Sequence, residues 1–470
     1  MIPTTRILSD EELHSIDCAS RELLWDVGVT VHDEKALKIY QKAGAEVDFS
    51  NQIVRLPSHL ISAALGKCSP SLRLYGRDEI LPMNVGGMRS YFGTIGFASN
   101  ALDAKTETHR PATSQDLVDI FRLSDVLEPP HFMLTPGTPS DVPAELSDLY
   151  EFKIGLMNAR KHLVVQAKGK ENLDKIIRMA SAVAGGFNAL QRRPFFSILV
   201  TLTSPLTLRK DSSELIIGGA EKGLPLFIEA GPMCGGTAPA TMAATLVAAN
   251  AELLNSFVLA KIVNSSVPLV YASWARILDM KSGGVSHGGP EFGMLRIGTT
   301  QMAKFYNLPS GGGGILADTK LIDVQLGMEK LGTALLPALA GTNMILGMGL
   351  CAEENTMSQE ILMIDHEVAG YVQRVLQGIL VNDNTIDLSL FKETGPSGTY
   401  LDTAHTLENF RKEMWIPRIS SRGTLEETSD LNLTGIRSNA KRAITEVMQK
   451  YTPPSLPENI DSKLEDIIQA

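Results

Sequence analysis

The sequence predicts a TIM barrel, a (β/α)8 fold of eight parallel strands ringed by helices, with an N-terminal α+β extension and a C-terminal helical tail. Three observations predict it. Eight short apolar runs punctuate the middle of the 470-residue chain. A helix-like stretch follows nearly every run, the alternation that builds parallel sheets. The 40 glycines and 24 prolines are spread along the chain and do not pool in one linker. The expected division is 1–85 for the extension, 86–350 for the barrel and 351–470 for the helical region packed on it.

The extension opens with Asp10-Glu11-Glu12 ahead of an amphipathic pattern running to Trp25. Acidic residues suit the first turn of a helix, where they meet the positive end of its dipole. Asp33–Ala43 reads as a second helix ended by Gly44, Gln52–Leu56 as a small strand, and Pro57–Leu65 as a third helix. The eight runs are Arg89–Gly93, His131–Thr135, His162–Gln166, Phe196–Val200, Leu226–Ala230, Leu269–Ser273, a weaker one at Leu308–Gly311, and Asn343–Gly347. Helices are expected over Thr113–Leu127, Asp141–Ala159, Lys170–Gly185, Asp211–Lys222, Ala238–Val263, Gly289–Tyr306 and Leu321–Ala340. Thr113 followed by Asp116 is a capping-box-like start. After Gly349 the chain reads as helical, over Met357–Leu380, His405–Met414 and Gly435–Tyr451, long enough to cross a barrel face or form a subunit interface.

Composition narrows the function. The formal net charge is −10, and no basic stripe offers the clustered Lys and Arg that phosphate neutralisation needs, so no nucleic-acid partner is expected. No basic amphipathic segment suggests a membrane surface. The apolar stretch Thr333–Met348 is broken by Pro337, Gly341, Thr342 and Asn343 and reads as helix, turn and strand. Four scattered cysteines without a CxxC pair, and a start lacking a basic-then-apolar leader pattern, fit a reducing cytoplasmic location.

Several chemistries lack their motifs. The chain has no GxxxxGK[ST] or HExxH, and no GxGxxG with a suitably spaced acid, so phosphoryl transfer and zinc hydrolysis are unsupported. The nine histidines do not cluster at ligand spacing, and no metal site is expected.

In a barrel, chemistry sits just beyond the C-terminal strand ends. Those positions hold aromatics and a few polar groups: Tyr91, Phe92 and Phe97 around the first run, Gln166 after the third, Glu229 within the fifth, and Tyr271, Trp274 and Arg276 at the sixth. Aromatic faces around a carboxylate suit a quaternary ammonium ion, which has no hydrogen to donate and is drawn to π-faces. Strand aromatics also fill cores, and Trp274 is the best placed for a ligand because it lies past its strand. Glu229 in an apolar strand is costly unless paired or functional. His287 sits in a Gly-rich loop after strand six. Ser310-Gly311-Gly312-Gly313-Gly314 is expected to be the seventh strand-to-helix junction. Its glycines would let a bulky planar group approach; a phosphate loop is the other reading, disfavoured by the absence of a following Lys.

At these residues the chain resembles the trimethylamine methyltransferase superfamily, and within it the members without pyrrolysine. The matching segments are Ala101-Leu102-Asp103, His109–Thr113 with Asp116-Leu117, Leu278-Asp279-Met280 and Leu308-Pro309-Ser310. They continue with Asp318-Thr319-Lys320, Asp323, Gln325, Glu329-Lys330, Ala340–Asn343, His405-Thr406-Leu407, Phe410-Arg411, Trp415, Pro417 and Arg422. The resemblance implies a (β/α)8 enzyme that moves a methyl group from an amine to the Co(I) of a corrinoid (cobalamin) carried by a partner protein, with no tightly bound cofactor of its own. It also implies that the glycine run stands where trimethylamine enzymes carry pyrrolysine. A quaternary amine already bears the positive charge, and its amine leaves neutral, so alignment and desolvation suffice.

Glycine betaine is the expected substrate, with carnitine and proline betaine as alternatives, and a homo-oligomer is expected. Tyr91, Phe92, Phe97, Tyr271 and Trp274 would form the cage. Glu229 would be the counter-charge, with Gln166 among the binding residues. Arg276, Arg296 or His287 would hold the substrate carboxylate, and Gly312 and Gly313 would leave room for substrate and corrin. Two further readings compete: a proton-abstracting barrel enzyme, for which Lys168 is the near candidate, and a betaine-binding protein without turnover.

Overall fold

The computed structural model describes residues 3–77, 82–94, 96–104, 106–424 and 435–470. Eight parallel strands close into a barrel: β1 Tyr91–Thr94, β2 Phe132–Leu134, β3 His162–Val165, β4 Phe196–Thr201, β5 Leu226–Ala230, β6 Leu269–Ser273, β7 Ser310–Gly313 and β8 Met344–Met348. The ring closes where β8 pairs with β1 and β1 with β2. The outer helices are α1 Ser114–Val126, α2 Ser147–Asn158, α3 Gly169–Ala184, α4 Lys210–Lys222, α5 Met242–Val263, α6 Pro290–Phe305, α7 Val324–Ala340 and α8 Gln359–Gln377. Each predicted helix up to α8 is present, trimmed at its ends by caps. At α1, Thr113 and Asp116 form the capping box.

Strand alternation decides what the barrel contains. Leu226 of β5 packs against Gly219 of α4, so Leu226 and Ile228 face the helices while Phe227 and Glu229 face inward. The interior is filled by rings seated on glycines. A Cβ on Gly93 would lie 2.5 Å from the Phe132 ring, and one on Gly311 2.6 Å from the Phe227 ring. The missing side chains are therefore what admits two phenylalanines to one narrow core.

This corrects one expectation. The glycine run is not a junction loop after strand seven; Ser310–Gly313 is strand seven, fully buried and paired on both sides. Low β-propensity concealed it, because glycine is scarce in strands except where another group approaches closely.

Among the described residues, helix α5 is the one helix long and apolar enough to cross a membrane by length and composition, and most of it is buried inside the protein. Its apolarity has a local cause. The barrel covers one side, and the extension covers the other: Tyr40 of the helix Glu34–Lys42 donates to the Asn255 carbonyl, and Ser20 of the helix Asp10–Asp26 to that of Val247. A helix covered all round reads as apolar all round.

The region after the barrel is not all helix. Leu350–Cys351 and Thr356–Met357 form a hairpin, which joins Asn100–Leu102 and His109–Pro111 in a four-stranded sheet on the C-terminal face. The pairs are two or three residues long, too short to show a period in the sequence. Small strands also join the loops at Met233–Cys234, Arg276–Leu278 and Val285–Ser286.

Candidate active site

Above the C-terminal ends of β5, β6 and β7 lies a compact group of charged and aromatic side chains. Glu229 points up from β5 and accepts a hydrogen bond from Thr201 Oγ1 at 2.9 Å. Trp274 follows β6, and its Nε1 donates to Glu354 Oε1 at 2.7 Å. Glu354 comes from the hairpin after β8. His287 lies beside it, Nε2 to Oε1 3.5 Å, with its ring edge-on to Phe292 at 5.3 Å. Arg296 rises from α6, is fully buried and stacks over Phe292 at 4.8 Å. Its Nη2 donates to the Ala275 carbonyl.

The charges in this group are set by burial. Loss of solvent lifts the Glu229 and Glu354 carboxyls to about 7 each; each is pulled back by a hydrogen bond, from Thr201 and from Trp274 respectively, and by Arg276 and Arg296. Burial brings Arg296 down to about 9, opposed by Glu229, so it stays cationic at neutral pH. Burial, helped by Arg276, lowers His287 to about 4, which makes it a neutral ring near pH 7. Nε of Arg276, Nε and Nη1 of Arg296, and both ring nitrogens of His287 are buried without a hydrogen-bond partner in the protein. Buried polar atoms without partners are costly, and three guanidinium N–H groups beside an imidazole with one donor and one acceptor nitrogen mark a place built to receive a polar ligand.

The loops that hold this group are themselves braced. Asp318 accepts from the His287 N–H at 2.7 Å and from Ser286 Oγ at 3.0 Å. Glu329 of α7 accepts from the Asp318 N–H at 2.8 Å. Lys330, also on α7, forms a fully buried ion pair with Asp365 of α8 and donates to the Ile315 carbonyl. Asp365 also accepts from the Gly349 N–H at 2.7 Å, just before the hairpin that carries Glu354. That hairpin turns through Ala352, Glu353 and Glu354 with φ of 53, 56 and 70°. Three successive left-handed non-glycine residues are strained, and the turn is held by the Ala352 N–H to the Thr319 carbonyl and by the Lys320–Glu353 pair.

Of the residues expected from sequence, Glu229, Trp274, Arg276, His287 and Arg296 come together here. Gly313 lies directly beneath: a Cβ there would stand 2.8 Å from Trp274 and 2.7 Å from Phe292. Gly312 faces the other way. It has φ of +152°, and its Cβ would meet the Ser273 carbonyl at 2.4 Å and Arg296 Nη1 at 3.0 Å. The space above the glycines is thus taken up by the protein's own aromatic rings, not left open for a corrin.

Phe97 and Gln166 lie elsewhere on the same face. They line a cleft of about 520 Å³ with Leu134, Thr135, Glu151 and Lys168. Lys168 Nζ donates to Ser147 Oγ at 2.8 Å.

Three cage candidates are not at this face. Tyr91 is the first residue of β1, at the opposite end of the barrel; its ring meets His131 edge-on at 5.4 Å, and its hydroxyl accepts from the Asn84 N–H. Phe92 follows it, fully buried, and its inward neighbour Gly93 turns it toward the helices. Tyr271 points out of the wall: its hydroxyl donates to Asn250 of α5 at 2.8 Å, and its ring packs against Phe257 and Tyr306. An apolar run has the same composition whichever way it faces. A one-residue change of phase swaps core for ligand.

Sequence reasoning missed Glu354 and Phe292. Phe292 sits one turn into α6, four residues before Arg296, and that i, i+4 spacing was the available signal. Glu354 lies in Cys351-Ala352-Glu353-Glu354-Asn355, a polar turn no different in composition from a surface loop.

The comparisons with known proteins agree along the whole chain. Residues 1–470 match the model of the trimethylamine methyltransferase (MTTB) family. A trimethylamine methyltransferase MttB of Desulfitobacterium hafniense (strain DSM 10664 / DCB-2) is 32% identical over 461 residues, covering 98% of this chain and 93% of the relative. The glycine betaine methyltransferase of D. hafniense (strain Y51) is 27% identical over 472 residues, covering 100% and 97%. Among solved structures, the monomethylamine methyltransferase MtmB of Methanosarcina barkeri aligns with a TM-score of 0.49 at 13% identity over 95% of each chain. With a family model spanning every residue, the chain belongs to the trimethylamine methyltransferase (MTTB) family.

Proposed function

We propose that this methyltransferase takes a methyl group from a quaternary amine bearing a carboxylate, glycine betaine first among them, and delivers it to the Co(I) of a corrinoid protein. The observation that carries the reading is the pairing of opposite charges above β5–β7. Glu229, Glu354 and the Trp274 face offer one end for an onium cation. Arg276 and Arg296 offer buried, unpartnered donors for a carboxylate. A zwitterion with charges at its two ends matches that polarity, whereas trimethylamine would leave both guanidinium groups unanswered. The full-length likeness to a glycine betaine methyltransferase supports the same choice.

In this reading the C–N bond to the transferred methyl breaks, and its electron pair stays on nitrogen, releasing dimethylglycine with a neutral amine and its carboxylate still charged. Co(I) supplies the electron pair for the new Co–C bond and ends as methyl-Co(III). No proton moves, so the protein's task is positional. Glu229 and Trp274 fix the ammonium, Arg276 and Arg296 fix the tail, and the aromatic rings seated on the glycines exclude water. Phe97 and Gln166, across the face, would line the approach, while Tyr91, Phe92 and Tyr271 have no part.

Methyl transfer to cob(I)alamin from glycine betaine, carnitine, proline betaine and trimethylamine, followed by the cobalt spectrum, tests the reading. Methyl-cobalt from glycine betaine and none from trimethylamine is expected. Transfer from trimethylamine alone would overturn it, and betaine binding without methyl-cobalt would favour a binding protein.

A further inference from the structure

The end of the barrel away from the candidate site carries a segment that buries almost nothing. Helix α8 starts near the C-terminal face, but its later turns reach the opposite end. There His366 meets the Pro129 carbonyl, and Gln373 meets His131, the residue just before β2. The chain then runs out from Gly378 and returns at Trp415, which packs edge-on against Tyr371 of α8 at 5.8 Å. The return is pinned by Glu367, which accepts the N–H groups of Arg418, Ile419 and Ser420. Between these points lie two helices, Leu388–Thr394 and Ala404–Glu413, neither with a single buried residue.

Their apolar faces are turned to solvent. Leu407, Phe410 and Met414 recur at i, i+3 and i+7 and are 74, 38 and 45% exposed, while Leu388 and Phe391 recur at i and i+3 and are 63 and 60% exposed. Among the described residues, eleven of the 24 exposed large hydrophobics fall between 379 and 416, about a twelfth of the chain. Helices of seven and ten residues fall below the ~12–15 that are even marginal alone in water. Contiguous exposed apolar surface of this kind marks an interaction site.

We infer that the arm 379–416 is the interface through which two copies of this chain associate. Its place rules against the other natural occupant: a corrinoid protein must bring cobalt to the strand C-termini, and the arm projects from the other end. Its area suits a stable dimer. Eleven side chains exposing on the order of 100 Å² each exceed the roughly 800 Å² per partner of a standard interface. Its chemistry suits self-association too, because apolar contact is the route open to a chain of net charge −10. A two-fold axis would set one arm against its twin and cover both stripes at once. The choice of occupant rests on the proposed reaction, but the test reads mass and not turnover, so each can fail without the other.

Sedimentation of the full chain at micromolar concentration should give twice 50.9 kDa, and Leu388→Asp with Leu407→Asp should halve it. A monomeric wild type, or a folded double variant that keeps the wild-type mass, would overturn the inference. If the variant fails to fold, hydrogen exchange on the wild type decides. Amides of 388–394 and 404–413 should be protected at high concentration and lose protection on dilution. Protection absent at every concentration, or gained only when a corrinoid protein is added, would overturn it.

Discussion

The two ends of this barrel break opposite rules. At the C-terminal face, charge is buried: two carboxylates, two guanidinium groups and an imidazole sit among aromatic rings. At the N-terminal face, apolar side chains stand in water along the arm 379–416. Each arrangement costs stability in the isolated chain, the first through lost hydration and the second through unburied surface. On the readings proposed above, each is answered from outside the chain, by a charged ligand at one end and a protein surface at the other. Barrel enzymes separate chemistry from stability by face, and here that separation is visible as two kinds of frustration.

The largest expected effect strikes the charged end. Trp274→Ala removes the π-face and the hydrogen bond to Glu354 together, about 3 kcal/mol or a ~100-fold loss in kcat/KM. Unchanged kinetics would take Trp274 out of the site.

Next comes the division of labour between the charges. Arg296→Lys should raise KM for glycine betaine about tenfold, the loss of one charge-assisted contact. It should leave a quaternary amine without a carboxylate unaffected. Equal effects on both substrates would show that Arg296 serves only to balance Glu229.

The pH dependence follows from burial. Glu229 and Glu354 titrate at about 7, above the ordinary 4.5, so ionised carboxylate becomes available as pH rises. If onium binding needs one of them ionised, KM should fall about tenfold from pH 6 to pH 8. The same shift has a stability sign. A carboxyl with a raised folded pKa favours the folded state below its unfolded pKa and loses that contribution as pH climbs through 7. Glu229→Gln should therefore raise Tm relative to wild type at pH 8, and the gain should vanish near pH 5. A gain of equal size at both pH values would refute this account of Glu229.

Smaller effects map the wall. Gly313→Ala pushes a methyl into Trp274 and Phe292 and should cost about 1–3 kcal/mol, read as a lowered Tm. Tyr271→Phe, which loses one hydrogen bond to Asn250 on the helix side, should cost about 1 kcal/mol with no change in KM. A changed KM would restore Tyr271 to the cage.

The sequence alone was enough to establish the barrel. Strand and helix each impose their own period on apolar residues, and eight alternations are hard to arrange any other way. Glu229, Trp274 and Arg276 could be singled out by their places in or just past barrel strands, and the structure brings them together with His287 from a loop and Arg296 from α6. Only the tertiary structure decided the rest. It turned Tyr271 outward, made the glycines a strand filled by neighbouring rings, and folded Glu354 back over the face from a hairpin beyond β8. Direction and long-range approach are not properties of a residue. They arise when the ring closes and each side chain is assigned a side of the wall.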